Sequence, residues 1–331
     1  MKVKYQYTYF INSFTIEKKQ YQKYILNLMN NKNIKPKIYN KQKDTDLEQY
    51  FLQDAKEIMF KTMEMSETEQ RKLENKYKKL AKLPAVVFEY LVDNNTQSKM
   101  GQEDGFFFKI DKIELICFKN GIGFMLVKTY VEENTDMKNI LDFNYKFKTA
   151  KEPIYIQTNE FKEKINLSEL LYELTGQPEL KDVYTYSYLC VDGEDWNEQK
   201  DFSLLEKEFI KLVNTSLAQS EEAANEKTDR EIDIIENSNY VKIGIGKEGS
   251  ALITNSLDTY NCTKLPYEFE NKYLYTLIFA LYQKALVKNI MKQNSTFSKM
   301  KRRLEKFTNK EFIKEITSEE MGKALYKKWQ E

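Results

Sequence analysis

The 331-residue sequence contains no histidine. That absence removes histidine general bases, Ser-His-Asp and Cys-His nucleophile systems, and histidine-based zinc or iron sites. Any metal chemistry falls to carboxylates, which suit magnesium, calcium or manganese. The clearest group of acids is Asp192, Glu194 and Asp195 in "CVDGEDW". Alternating acids after a strand are candidates to hold a divalent cation such as Mg, and they carry the enzymatic reading, a carboxylate-metal hydrolase or nuclease. Asp-Gly is also ordinary turn chemistry, and the turn is the favoured reading. No second carboxylate cluster joins them, and no cofactor is identified. The sequence is read as a non-enzyme.

Three further patterns bear on binding. In "FSKMKRRLEKFTNK", Lys299, Lys301, Arg302, Arg303, Lys306 and Lys310 face a single Glu305. Such a run is a solvated helix face, a phosphate contact for nucleic acid, or a basic collar on the cytoplasmic side of a membrane. Tyr5, Tyr7 and Tyr9, with Val3, share one face of a strand, and Tyr184, Tyr186 and Tyr188 share a face of another. Aromatic stripes can stack bases or a ligand, but cross-strand packing is favoured here, because neither stripe is interleaved with dense Arg or Lys. Finally, "GIGKEG" from Gly244 to Gly249 is formally a G-x-G-x-x-G. A dinucleotide loop must open a helix. Here "SALIT" follows, which reads as a strand, and no kinase catalytic loop lies beyond it. The segment is therefore read as a hairpin, like the Asn120-Gly121 turn in "FKNGIGFMLVKTY".

These residues must be positioned by ordinary globular elements. Hydrophobic residues make up 41% and charged residues 31%, and Lys+Arg 52 against Asp+Glu 51 leaves a net charge of +1. Only local patches can then recruit nucleic acid or membrane. Cys117, Cys190 and Cys262 are scattered, as expected for reduced thiols in a cytosolic protein. "MKVKYQYTYF" lacks the apolar core of a signal peptide, and "LYTLIFALY" is too short to span a membrane. Strands and helices alternate up to about Cys262. A helix follows the first strand, with Tyr21, Ile25, Leu28 and Met29 at helical spacing. A second is expected from Asp44 or Thr45 through about Met63, and Ser66 with Glu69 marks a capping box. The polar stretch from Gln219 to Asn237 is expected to be an exposed, mobile element. From Leu265 onward the pattern is helical throughout. The expected fold is mixed α/β (α+β): a largely antiparallel sheet flanked by helices, then a helical C-terminal part. The expected division is a sensor-like α/β unit over residues 1–264 and a helical, stalk-like region over residues 265–331.

Several phrases together resemble CorA-like bacterial proteins: "IELICFKNGIGFMLVKTY", "LDFNYKFK", "NYVKIGIGKEGSALIT", "KYLYTLIFALYQKALV" and "LEKFTNKEFIKEITSEEMGKALYKKWQE". That family places a cytoplasmic α/β domain before a stalk helix and two membrane helices and assembles as a homo-oligomer. Some members resemble ion-transport-type effectors of type III CRISPR antiviral defence, which answer a nucleotide second messenger. The family's Gly-Met-Asn pore signature and both membrane helices are missing here. The resemblance therefore implies the cytoplasmic, ligand-sensing part of a membrane effector, cut before its membrane helices and lying at the inner face of the membrane. It transfers no ligand residue. The alternative from another class is a soluble nucleic-acid or protein-binding module built on the basic helix.

Overall fold

The computed structural model describes residues 1–75, 77–92, 98–100, 106–132, 135–149, 153–157, 164–176, 182–219, 232–292, 297–310 and 312–331. Its strands are β1 (Lys2–Thr15), β2 (Ile34–Pro36), β3 (Ala85–Tyr90), β4 (Ser98–Met100), β5 (Phe106–Phe118), β6 (Ile122–Tyr130), β7 (Thr135–Asp136), β8 (Ile154–Gln157), β9 (Lys164–Asn166), β10 (Tyr184–Val191), β11 (Asp233–Ser238), β12 (Val241–Ile245) and β13 (Gly249–Asn255). They form a 13-stranded sheet in the order β11-β12-β13-β10-β1-β6-β5-β4-β8-β9, with β2 and β3 alongside β5 and β7 on β1. Among the described residues, only the β10–β13 pair is parallel.

β1 lies at the centre, and its side-chain alternation sorts the core. Phe10 and Phe14 enter one apolar cluster, while Tyr7, Tyr9 and Ile11 enter another on the opposite face. Tyr5 packs at the edge of that second cluster, as the strand's alternation requires. Val3 does not. The register slips between Val3 and Tyr5, and this bulge turns Val3 to the other face.

The first face is covered by α1 (Tyr21–Asn30), and the chain then crosses to the second face with α2 (Thr45–Tyr50) and α3 (Gln53–Met59). The single helix expected through Met63 is interrupted. Phe51 is extended and bridges Thr317, and Leu52 N donates to Ile316 O at 2.8 Å. A tertiary contact has overridden local helical periodicity. α4 (Glu67–Asn75) begins with the capping box: Ser66 N donates to Glu69 Oε2 at 3.0 Å. α5 (Met137–Thr149), α6 (Leu167–Thr175) and α7 (Glu206–Asn214) complete the first face through residues such as Phe143, Leu171 and Phe209. Within the polar 219–237 stretch, residues 220–231 lie outside the described set. Asp233 onward forms edge strand β11 instead of a mobile element, paired along β12.

Both glycine-rich turns are hairpins. At the β5–β6 tip Gly121 has φ +92°, and a Cβ there would sit 2.3 Å from Ile16 O. At the β12–β13 turn Gly246 N donates to Gly249 O at 2.8 Å, and the chain continues as β13. A Cβ on Gly249 would fall 2.6 Å from Val213 O of α7. This glycine therefore serves the close approach of α7 to the sheet.

Residues 265–331 cover the second face. A π-helical turn, Phe269–Tyr273, leads into α8 (Leu274–Lys292), followed by α9 (Phe297–Lys310) and α10 (Glu320–Gln330). Their buried side chains share one cluster with β1 and β10. Trp329 is 2% exposed and donates from Nε1 to Ser250 Oγ at 2.8 Å. Among the described residues no helix is long and apolar enough to cross a membrane.

Candidate functional site

The site begins at the β5–β6 hairpin tip. Tyr282 of α8 stacks on Phe118 with ring centroids 4.0 Å apart, and its hydroxyl accepts from Asn120 Nδ2 at 2.7 Å. These contacts fix the tip against the middle of α8. The end of β1 is held there too, because Ile16 N donates to Gly121 O at 2.8 Å. α9 is fastened by an amphipathic stripe: Phe307 is buried, and Met300 and Leu304 are half-buried. Arg303 and Lys306 flank Phe307 on the adjoining face.

Between these elements lies a cleft of about 660 Å³. Its floor is Ile16, Gly121 and Leu286, and its walls carry Asn120 and Asn289. Four cations line it, Lys18, Lys292, Arg303 and Lys306, against the single carboxylate of Glu17. Among the described residues Lys18, Lys292 and Arg303 make no ion pair. A concave site with this excess of positive charge concentrates polyanions, and arginine adds bidentate recognition of phosphate or carboxylate.

The basic run predicted from sequence is thus divided. Arg303 and Lys306 line the cleft, whereas Lys299, Lys301 and Arg302 are exposed on α9 outside its lining. Lys18 and Lys292 were not legible from sequence, because they are distant in the chain and neither belongs to a charge cluster dense enough to stand out.

A second polar group anchors α8. Glu270, on the π-helical turn, accepts from Tyr9 OH at 2.6 Å, from Lys112 Nζ at 2.8 Å and from Lys128 Nζ at 2.8 Å. Lys128 also pairs with Asp111 at 2.9 Å. The β5–β6 register shifts between Ile110 and Lys112, and Asp111 is the bulged residue. Glu114, 1% exposed, pairs with Lys37 at 3.2 Å, and Lys37 reaches the Tyr275 hydroxyl at 3.3 Å. Burial alone would raise the Glu270 carboxyl, but the charges of Lys112 and Lys128 outweigh it and hold it at about 2. Burial would likewise lower the Lys128 ammonium, and Glu270 and Asp111 raise it above its ordinary value. Each charge has a partner, so this group locks the helical layer to the sheet.

The tyrosine stripes are fully engaged. Tyr186 and Tyr188 are buried and donate to Phe269 O and Asn261 O, and Tyr7 donates to Pro266 O at 2.7 Å. Tyr184 hydrogen-bonds Ser250 Oγ at 2.6 Å. The hydroxyls of Tyr7, Tyr9, Tyr186 and Tyr188 pin the 261–270 segment onto the sheet. The acids of "VDGED" form a turn. Asp192 pairs with Lys4 at 2.9 Å and accepts from Glu194 N at 3.1 Å, while Asp195 accepts from Lys2 N at 3.1 Å. Among the described residues no group of three or more His, Cys, Asp or Glu side chains is placed to hold a metal ion. The chain matches no protein-family model, no curated protein and no solved structure.

Proposed function

We propose that this chain is a non-catalytic sensor module that binds a polyanionic ligand of the nucleotide class in the cleft between the β5–β6 tip, the end of β1 and α9. The observation that carries the reading is the lining itself: Lys18, Lys292, Arg303 and Lys306 converge on one concavity in a chain whose net charge is only +1. The sequence resemblance supports the wider setting, the cytoplasmic part of a CorA-like, oligomeric membrane effector answering a nucleotide second messenger. α8 and α9, which form one wall of the cleft, belong to the C-terminal helical layer that such a setting would couple to the membrane.

The test is thermal unfolding against a panel of mono-, di- and oligonucleotide messengers, with single-stranded RNA as a separate arm. A ligand present at about 100 times its dissociation constant stabilises by about 2.7 kcal/mol, which raises Tm by several degrees. Replacing Arg303 and Lys306 together by Gln should remove that shift. A shift that survives the double substitution would place the ligand elsewhere. RNA binding that instead needs Lys299, Lys301 and Arg302 would replace this reading with the nucleic-acid module.

A further inference from the structure

A second cleft, of about 520 Å³, lies between α8, α9 and α10. Its character is different. Ala280, Val287 and Phe307 form an apolar floor, and Met291 and Phe312 form walls that stay 61% and 41% exposed. Exposed apolar side chains of this size, gathered in one concavity, are groups without cover. The polar atoms at its base are already satisfied. Gln330 Nε2 donates to Gln283 Oε1 at 3.1 Å, and Gln283 Nε2 donates to Ile313 O at 3.3 Å. The base therefore asks for nothing polar.

The rim carries three lysines against one carboxylate, Glu331, which already pairs with Lys328 at 3.0 Å, so its excess charge suits an anion. Lys284, Lys288 and Lys292 follow one another along α8 at helical spacing. Lys284 is exposed at the rim and makes no ion pair among the described residues. Burial pushes its ammonium below its ordinary value, opposed by the Glu331 charge. Lys288 has a distant partner in Asp182, at 3.9 Å, and both side chains are largely exposed, so that pair holds it weakly.

We infer that this cleft binds a free single-chain anionic amphiphile of the fatty-acid class. The carboxylate sits against Lys284 and Lys288, and the alkyl chain lies along Val287, Met291 and Phe312. The apolar groups line a concavity in the volume range of a single small-molecule site, which favours one free chain over a bilayer surface. The inference does not depend on the polyanion cleft, whose lining shares only Lys292 with this one.

Isothermal calorimetry with dodecanoate, below its micelle concentration, tests it. Dodecanoate should bind one per chain, and dodecanol and dodecyltrimethylammonium should each bind about ten-fold weaker or less. Lys284→Gln should weaken dodecanoate by a similar factor, and Lys284→Arg should restore it. Val287→Glu should abolish binding, and its thermal unfolding profile reports whether the chain still folds. Phe312→Ala, at a half-exposed position, gives a milder second lesion of the same wall. Lys301→Gln, outside the cleft, should change nothing. The inference is overturned if dodecanoate does not bind, or if dodecanol binds as well as dodecanoate. It is also overturned if the chain instead binds phosphatidylglycerol vesicles in a manner that Lys301→Gln weakens and Lys284→Gln does not.

Discussion

Replacing Glu270 by Gln should cost stability in a way that pH exposes. Glu270 is 16% exposed and holds the ammonium groups of Lys112 and Lys128, each at 2.8 Å. Its carboxyl titrates at about 2 in the folded chain against an ordinary 4.5. At about 1.4 kcal/mol per pH unit, that difference contributes about 3 kcal/mol above pH 5. The sign follows from the depressed value: the contribution is complete above the unfolded pKa and drains away as pH falls toward 2. Gln keeps the shape and an acceptor for Tyr9 but leaves the buried Lys128 and half-buried Lys112 ammonium groups short of a counter-charge, a lesion worth about 3–5 kcal/mol when no other partner is near. Here Asp111 and Glu114 remain within 2.9 and 3.8 Å of Lys128 and Lys112, so the low end of that range applies. Urea unfolding followed by tryptophan fluorescence is a suitable assay, because Trp329 packs in the same helical layer. The native chain should lose more than half of its advantage over the variant between pH 5 and pH 3. Parallel stability profiles across that window, or a difference at pH 7 within about 0.5 kcal/mol, would show that the network does not hold the layers together.

Two other outcomes follow from the geometry. Gly121→Ala forces a side chain into φ +92° and against Ile16 O, so it should destabilise by about 1–3 kcal/mol in denaturant unfolding; a neutral result would mean that the tip is not tied to β1 as described. Lys292 lines both clefts, so an anion bound in one lowers the positive potential felt in the other. Saturating dodecanoate should weaken binding at the polyanion cleft, and the reverse effect should have the same factor. Titrations that prove independent would separate the two sites.

The legible part of the fold was the part governed by local periodicity. The β5–β6 hairpin was marked by Asn120-Gly121 between alternating runs, and the Ser66–Glu69 box marked the start of α4. What long-range contacts decide was not legible. Phe51 reads as helical until Thr317 pairs with it. Val3 reads as a partner of Tyr5 until a bulge turns it away. Asp233–Ser238 is too polar to announce a strand, and β12 makes it one. For the site, charge density exposed Arg303 and Lys306, but nothing local could show that a β1 terminus and a hairpin tip would bring Lys18 and Asn120 to them. Glu270 lay in an unremarkable helical stretch; its importance comes from two lysines more than a hundred residues earlier.

The central place of β1 has a kinetic consequence. Its flanking strands lie far along the chain: Thr8 meets residues 121 and 179 positions later. Contacts of such long sequence separation form slowly, since loop closure must precede any gain. At a synthesis rate of about 5–20 residues per second, β1 waits on the order of 10–40 s before β10 exists to cover its second edge. Through that interval its tyrosine-rich face lacks the C-terminal helices that cover it. The β5–β6 hairpin, being local, is the natural nucleus, with β1 recruited to it and β10 added last. Pulse-labelled hydrogen exchange should protect Leu126 before Leu189, and the opposite order would contradict this route. A sheet whose earliest strand lies at its centre leaves that strand's adhesive edge open longest.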